Sequence, residues 1–282
     1  MSAPYQLTGE NRTLEQLREH YEIEKELASH LRHASQQERT YLYASLYNEL
    51  FRRVPNHPQL MRKTSLDGRR AALLREMRRL NQFLNSEITF LELGAGDCTL
   101  SLEVAQVVKR VYAVDVSEEI TKGLNLPPNF QLVLSDGCDI PVPPGSVHLA
   151  YSNQLLEHLH PDDAIEQLQN VYRTLVPGGL YLCFTPNRLS GPHDISRYFD
   201  QVATGFHLKE YTIGELNKLF RAAGFTTVRI YLGLGEKLLS SPVAPFLLLE
   251  GLVNILPNSL SKLIAHSFPM RILLGIRLIG IK

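Results

Sequence analysis

The stretch that decides the fold is Leu91-Glu92-Leu93-Gly94-Ala95-Gly96-Asp97-Cys98-Thr99, in which two glycines follow a short apolar run. The run, residues 88–93, is typical of a buried strand, and the residues after Gly96 are typical of a helix start. Glycine lets the backbone turn sharply and leaves room for a ligand, while a helix start offers N–H groups to an anion. The stretch therefore predicts a strand, a tight turn and a helix. A turn without a ligand remains the simpler interpretation of this motif alone.

Short apolar runs continue on the carboxyl side of this stretch and alternate with helical patterns. Alternation of this kind is typical of βαβ units, which build a parallel sheet covered by helices on both faces. We therefore expect an α/β, doubly wound, mostly parallel seven-stranded sheet of the Rossmann-like type. The predicted strands are residues 88–93, 111–116, 130–135, 147–152, 179–184, 226–232 and 272–281.

Outside these strands the sequence predicts two accessory regions. Residues 1–86 read as helices, because Thr13 with Gln16 and Ser35 with Glu38 match the capping box at a helix start. We expect this segment to form a helical extension or lid, and residues 87–282 to form the main domain. Within that domain, the leucine-rich residues 236–268 predict a helical insertion before the last strand.

Composition places the chain among ordinary globular proteins. It has 282 residues, 44% of them hydrophobic and 21% charged, which argues against a disordered, fibrous or disulfide-scaffold protein. Lys+Arg and Asp+Glu number 29 each, which argues against a strongly basic nucleic-acid binder. Cys98, Cys138 and Cys183 form no CxxC pair and predict reduced thiols.

The amino-terminal residues have no apolar core typical of a signal peptide. Apolar stretches such as residues 243–249 are also far shorter than the roughly 20 residues that span a bilayer. These observations predict a cytoplasmic protein.

Acidic residues follow two of the predicted strands. Asp115 ends the second strand, where a carboxylate can accept hydrogen bonds from ribose hydroxyls. Asp136 follows the third strand and is positioned to meet an adenine amino group. Each acid alone would be typical of a turn or a helix cap. Together with residues 153–158 after the fourth strand and 175–179 before the fifth, they form an ordered set that chance rarely produces.

Taken together, these motifs resemble those of the class I S-adenosylmethionine-dependent methyltransferases. Glu92-x-Gly94-x-Gly96 is similar to the first family motif, and residues 155–158 and 177–179 are similar to later ones. The resemblance implies that Asp115 is the ribose acid and Asp136 the adenine acid of a site for S-adenosyl-L-methionine. Within the class it looks most like small-molecule methyltransferases of bacterial quinone, glycan and natural-product pathways, which implies methyl transfer to an oxygen atom of a small molecule. The predicted cofactor-binding residues are Glu92, Gly94, Ala95, Gly96, Asp115, Val116, Asp136, Gly137, Asn153 and Gln154.

Three other functions compete with this interpretation. A nicotinamide-dependent dehydrogenase also has an acid about 20 residues beyond its glycines, but Thr99 stands where its third glycine or alanine is usual. A protein that binds the cofactor without chemistry is a second alternative. The third is an RNA methyltransferase, suggested by the arginine-rich run of residues 69–79. With 14 Lys+Arg against 11 Asp+Glu in residues 1–87, we expect a solvated helix face there and no nucleic-acid partner.

The acceptor half of the site should lie beyond the fourth and fifth strands, since open α/β sheets bind ligands at the carboxyl ends of their strands. His193, His207 and His158 are the candidate general bases for a small-molecule hydroxyl, because imidazole titrates near neutral pH. The simpler interpretation makes His158 a structural residue and residues 207–212 a helix cap. The candidate substrate-binding residues are Asn187, Tyr198 and Tyr211.

Two further expectations concern metals and lipids. His158 and His160 are two residues apart and would point to different sides of a helix, so the sequence predicts no metal site. The apolar residues 246–256 would pack against the sheet edge or a second subunit, or line a wall for a hydrophobic or lipid-linked acceptor near a membrane surface. The sequence does not fix the oligomeric state or the acceptor.

Overall fold

A computed structural model of the protein describes residues 12–64, 66–116, 125–234 and 237–282. Residues 1–11 of the predicted extension and residue 236 of the predicted insertion lie outside this part of the chain. Within it, four helices precede the first strand: α1 (Leu14–His33), α2 (Gln36–Arg53), α3 (Pro58–Thr64) and α4 (Leu66–Leu80). Both predicted capping boxes are present, at Thr13 and at Ser35. Each cap residue accepts a hydrogen bond from an N–H three residues later and donates its own N–H in return.

Buried charges hold α1 and α2 against the rest of the chain. Arg39 in α2 forms a bidentate pair with Asp163, with Nε–Oδ2 and Nη2–Oδ1 distances of 2.6 Å. Arg32 in α1 donates to three backbone carbonyls, those of Thr204, Gly205 and His207, over 2.7–3.1 Å. These contacts bring the amino-terminal helices over one edge of the sheet.

The described strands form a single sheet in the order β3-β2-β1-β4-β5-β8-β6-β7. Strands β1 to β5 pair in parallel, and β8 runs antiparallel between β5 and β6. This confirms the predicted fold class, an α/β doubly wound and mostly parallel sheet. The strands are β1 (Thr89–Leu93), β2 (Arg110–Asp115), β3 (Phe130–Leu134), β4 (Val147–Asn153), β5 (Leu175–Thr185), β6 (Thr227–Leu234), β7 (Lys237–Pro242) and β8 (Ile276–Ile281).

Helices cover both faces of the sheet. Leu91 and Leu93 point to one face, where they join a core that includes residues of α1, α2, α6, α7 and α8. Phe90 points to the other face and joins a core with residues of α4 and α5. The alternation follows from the two-residue side-chain period of a strand. The helices after β1 are α5 (Thr99–Val104), α6 (Pro161–Thr174), α7 (Ile213–Ala222), α8 (Ala244–Asn254), α9 (Asn258–His266) and α10 (Phe268–Leu273).

The prediction was wrong in the region before the last strand. Residues 237–242, expected to be helical, form β7 antiparallel to β6, so the sheet has eight strands among the described residues rather than seven. A run of six residues is too short for periodicity to separate strand from helix, and its closing Pro242 is tolerated at a sheet edge. Residues 268–273, partly expected in the last strand, form α10, whose second residue is Pro269. Proline is well suited to the first turn of a helix.

Among the described helices, none combines the length and the apolar character that crossing a bilayer requires. The most apolar helices, α8 and α9, have only 11 and 9 residues.

Candidate active site

A cavity of about 500 Å³ opens at the carboxyl ends of β1, β2 and β4. Open α/β sheets bind their ligands at this edge, at the point where the strand order reverses. One side of the cavity consists of backbone from the turns that follow these strands. The opposite side is the face of α2 that carries Tyr43, Tyr47 and Phe51.

The glycine-rich turn forms the part of the cavity next to β1. Gly94 and Gly96 have φ values of +68° and +52°, in the left-handed region that glycine adopts without strain. The N–H groups of Gly94 and Ala95 donate to the carbonyl of Val114, at 2.9 and 3.1 Å, and tie the turn to β2. A Cβ built on Gly96 meets no atom within 4 Å, so this position is open to a ligand.

Asp115 lies at the end of β2 and borders the same cavity. Its Oδ2 accepts the N–H of Gly96 at 2.7 Å, and its Oδ1 accepts the N–H of Val116 at 2.8 Å. These bonds fix the carboxylate beside the glycine-rich turn. Each carboxylate oxygen can accept more than one hydrogen bond, so ribose hydroxyls could be bound as well.

Glu92 takes a different position from the one that the resemblance implies. It shares the face of β1 with Phe90 and points toward α5, where Ser101 Oγ donates to its Oε2 at 2.5 Å. It is 8% exposed, and burial raises the pKa of its carboxyl group to about 8. The carboxyl group therefore connects β1 to α5 beneath the turn and does not line the cavity. Its role in cofactor binding stays a prediction.

Most of the other predicted cofactor residues border the cavity: Gly94, Ala95, Gly96, Asp115, Val116, Gly137 and Gln154. Asp136 instead closes its own turn, since its Oδ1 accepts the N–H groups of Cys138 and Asp139 at 2.9 and 2.8 Å. Asn153 is exposed at the end of β4, outside the set of lining residues. Asp136 and Asn153 are therefore next to lining residues in the chain, but they do not line the cavity themselves.

His158 also lines the cavity. Its Nδ1 is 2.7 Å from the hydroxyl of Tyr47 and 3.1 Å from the carbonyl of Phe206. Burial, with a smaller contribution from His207, lowers the pKa of His158 to about 3. The imidazole is therefore neutral at physiological pH.

His207 and His193 share one carboxylate behind His158. Glu210 Oε1 is 2.7 Å from His207 Nδ1 and accepts the backbone N–H of His193 at 2.7 Å. Burial alone would lower the pKa of His207. The hydrogen bond to Glu210 and the charge of Glu157 outweigh burial, so the pKa of His207 is raised. The rings of His158 and His207 are 4.9 Å apart, whereas His193 Nε2 contacts the carbonyl of Asn187 at 3.0 Å. Of the predicted bases, the structure brings His158 and His207 together and leaves His193 outside the cavity lining.

The predicted substrate-binding residues have partners inside the protein and do not line the cavity. The Asn187 amide donates to the carbonyl of Leu274 at 2.8 Å and its oxygen accepts the N–H of Leu189. Tyr211 is buried and pairs with Asn187 through a β-bridge. Tyr198 packs with the side chains of α1. Their roles in substrate binding stay predictions, and their contacts are those of residues that order the loop between β5 and α7.

The aromatic side of the cavity was not predicted. Tyr43, Tyr47 and Phe51 are four residues apart, which aligns them on one face of a helix. That spacing was readable in the sequence, but the direction in which this face points was not, because it depends on contacts with distant residues such as the hydrogen bonds of Arg39 and Tyr43 to Asp163.

With the geometry established, the chain can be compared with known proteins. The family model described as "Methyltransferase domain" matches residues 65–230, more than half of the chain. A protein of Mycolicibacterium smegmatis named a probable S-adenosylmethionine-dependent methyltransferase is 30% identical over 149 residues, 51% of this chain and 56% of that protein. A protein of Mycobacterium tuberculosis with the same description is 30% identical over 139 residues, 49% of this chain and 48% of that protein. The chain thus spans about half the length of the curated relatives it matches.

Among solved structures, a SAM-dependent methyltransferase from Archaeoglobus fulgidus aligns with a TM-score of 0.51 and 21% identity. The alignment covers 85% of this chain and all of that one, and it supports the fold. The family match decides against the dehydrogenase alternative. The chain belongs to the methyltransferase domain family and, with it, to the class I S-adenosylmethionine-dependent methyltransferases.

Proposed function

We propose that the protein transfers a methyl group from S-adenosylmethionine to an oxygen atom of a small-molecule acceptor. The observation that carries this proposal is the lining of the cavity, which combines the glycine-rich turn and Asp115, here called the cofactor end, with Tyr47 and His158, here called the acceptor end. The cofactor supplies a methyl group on a sulfonium, whose leaving group is already activated. The protein must then hold an acceptor in line with that methyl group and exclude water.

The residues at the first end fit the cofactor. The open backbone at Gly96 leaves space for it, and the fixed Asp115 carboxylate is suited to ribose hydroxyls. Glu92 supports this end indirectly, because it connects β1 to α5 through Ser101. We therefore assign cofactor contacts to Gly94, Gly96 and Asp115, and a supporting role to Glu92.

The residues at the second end fit an oxygen acceptor. The aromatic face of α2 can exclude water and orient an apolar body, while the Tyr47 hydroxyl and the His158 imidazole can contact a hydroxyl group. Holding two reactants in line can supply roughly 7–11 kcal/mol of the barrier. Removing the acceptor proton adds about 10²–10⁴-fold. We place the acceptor oxygen beside His158.

A lipid-linked acceptor has separate support from the carboxyl-terminal helices. Leu248, Leu252, Ile255, Leu263 and Phe268 are each 62–79% exposed. Helices α8 to α10 contain two cations, Lys262 and Arg271, and a single acid, Glu250, which is buried against the start of α7. Exposed apolar residues with a basic surplus are typical of surfaces that contact anionic lipid.

This lipid contact is testable by co-sedimentation with phosphatidylserine-containing vesicles. The wild-type protein should co-sediment at low salt, and Ile255→Ser with Phe268→Ser should weaken the binding. Absence of the wild-type protein from the pellet would contradict the lipid proposal and leave methyl transfer to a soluble acceptor.

Nucleic acid is a less suitable acceptor. Within the arginine-rich run, Arg69 pairs with Asp97 at 3.0 Å and Arg79 with Glu76 at 2.7 Å, so part of its charge is neutralised inside the protein. We also propose a cytoplasmic location, which three buried free thiols support.

The function is tested by calorimetric titration with S-adenosylhomocysteine beside NAD. We expect micromolar binding of S-adenosylhomocysteine alone, and its loss in Asp115→Ala. The matched control is Asp162→Ala, which removes an exposed carboxylate at the start of α6. Binding of NAD in place of S-adenosylhomocysteine would contradict the proposal, and binding without turnover of any screened acceptor would favour a non-catalytic protein.

A further inference from the structure

Three side chains with metal-binding atoms meet behind the acceptor end of the cavity. Glu157, His158 and His207 each offer one ligand atom, and these atoms lie within 4.8 Å of one another. Glu157 is fully buried and His207 is 8% exposed, while His158 borders the cavity. The group is thus enclosed by protein except on the side of the acceptor.

Each of the three side chains is already oriented by a contact with a neighbouring group. Thr185 Oγ1 donates to Glu157 Oε2 at 2.8 Å. The Nδ1 atom of His207 lies 2.7 Å from Glu210 Oε1, and that of His158 lies 3.1 Å from the carbonyl of Phe206. With a hydrogen on each Nδ1, both Nε2 atoms carry a lone pair. Contacts of this kind typically fix the tautomer and orientation of histidines that bind metals.

The remaining oxygen of the carboxylate points independently to a ligand. Within the described residues, Glu157 Oε1 has no hydrogen-bond partner although it is buried. Buried polar atoms in native proteins nearly always have a partner, and an unsatisfied one needs an explanation such as an ion or water. A cation bound between this oxygen and the two imidazoles would provide that partner.

We propose that Glu157, His158 and His207 form a binding site for a divalent transition metal, with Zn²⁺ as the best fit. Two imidazole nitrogens and one carboxylate oxygen are a common ligand set for zinc, at distances of about 2.0–2.2 Å, with one position left for water or substrate. Of the three residues, His158 lines the cavity.

The role of the metal rests on the proposed function. An ion at this position would bind the acceptor oxygen and lower the pKa of its hydroxyl, as metal ions do for bound water. His158 and His207 would then act as ligands and not as general bases. This assignment replaces the expectation of no metal, which was based on His160, a residue that instead accepts the N–H of Asp162 at the start of α6.

A second group, His20, Glu24 and His57, has comparable spacing but a different chemistry. His20 Nε2 contacts Glu24 Oε2 at 2.8 Å, and Glu24 Oε1 accepts the N–H of Phe206 at 2.8 Å. Arg12 contacts the other nitrogen of His20 at 2.7 Å. The polar atoms of His20 and Glu24 are thus already engaged in hydrogen bonds, and the Arg12 guanidinium lies beside them. This group therefore serves as a hydrogen-bonded link between α1 and residue 206.

The experiment is a zinc titration of the full chain after removal of metals with a chelator, with metal content measured by mass spectrometry. We expect one tightly bound Zn²⁺ per chain. Glu157→Gln and His207→Gln should each weaken the binding by at least about 100-fold, and Glu210→Gln, which removes an orienting contact, by about 10–100-fold. His266→Gln, a change of an exposed histidine, should bind zinc as the wild type does.

Circular dichroism and S-adenosylhomocysteine binding of each variant separate loss of the site from loss of the fold. Retention of stoichiometric zinc by a folded His207→Gln, loss of zinc in His266→Gln, or no zinc on the wild type would each overturn the proposal. The two proposals fail separately, because zinc binding can be measured without cofactor and S-adenosylhomocysteine binding can be measured without zinc.

Discussion

The two ends of the cavity are built in different ways. The cofactor end comes from two short stretches of chain, residues 94–97 and 114–116, which backbone hydrogen bonds join, such as that from the N–H of Gly94 to the carbonyl of Val114. The acceptor end is built from side chains far apart in sequence: Tyr47 and His158 are 111 residues apart. One end therefore depends on local conformation, and the other on how α2 packs.

The largest expected effect concerns the packing of α2. Asp163→Ala leaves Arg39, which is 3% exposed, without its partner, and should cost about 3–5 kcal/mol of unfolding free energy. Urea denaturation measures the loss. The control is Glu49→Ala, which breaks the exposed pair with Arg52 and should cost no more than about 1 kcal/mol. Equal losses in the two variants would show that the ion pair does not hold the acceptor end together.

The next largest effect is the pH dependence of stability that comes from Glu92, beneath the cofactor end. In the folded state the pKa of Glu92 is raised from 4.5 to about 8, so the folded protein binds the proton more tightly than the unfolded chain does. This contribution to stability is fully present below pH 4.5 and is lost as the pH rises through 8. Between pH 5 and 7.5 the wild type should lose on the order of 3 kcal/mol relative to Glu92→Gln.

Urea denaturation at several pH values measures that difference. Glu87→Gln, which removes an exposed carboxylate five residues earlier, should leave the pH dependence unchanged. A stability difference between wild type and Glu92→Gln that does not vary with pH would contradict the assignment of a buried, proton-binding carboxyl.

A third change tests the turn itself. Gly94→Ala places a Cβ 3.0 Å from Leu155 at a φ of +68°. The substitution should lower the free energy of unfolding by about 1–3 kcal/mol and should also weaken the binding of S-adenosylhomocysteine. Gly251→Ala lies within α8, where a Cβ meets nothing within 4 Å, and should stabilise by about 0.5–1 kcal/mol. Thermal unfolding measures the stability of the two variants, and calorimetry measures their affinity for S-adenosylhomocysteine. If Gly94→Ala matched the wild type in both, the cofactor end would not depend on the left-handed conformation of Gly94.

The smallest effect separates the two ends directly. Tyr47→Phe removes one hydrogen bond to His158 and should cost about 0.5–1.5 kcal/mol. Affinity for S-adenosylhomocysteine should stay unchanged, while methyl transfer to an acceptor found by screening should slow. Reduced cofactor affinity with normal transfer would reverse the assignment of the two ends.

The difference between local conformation at the cofactor end and long-range packing at the acceptor end also explains which parts of the site could be predicted from the sequence. Gly94, Gly96 and Asp115 lie next to strands, where local patterns fix both the conformation and the edge of the sheet. Tyr47 and the Glu157–His158–His207 group depend on contacts between distant segments, which no local pattern encodes. The partner of Glu92 could not be predicted either, because the side-chain alternation of β1 decides which face it lies on, and Ser101 of α5 meets it only in the folded chain.

Through Arg32, which donates to the carbonyls of residues 204, 205 and 207, the amino-terminal helices can change the acceptor end of the cavity without changing the cofactor end. The matched family segment, residues 65–230, excludes α1 and α2, yet these helices order the loop that carries His207 and supply the aromatic face of the cavity. Two relatives could share the whole recognised segment and still accept different molecules. Exchange of the amino-terminal helices between them should then transfer acceptor preference while the methyl donor stays the same.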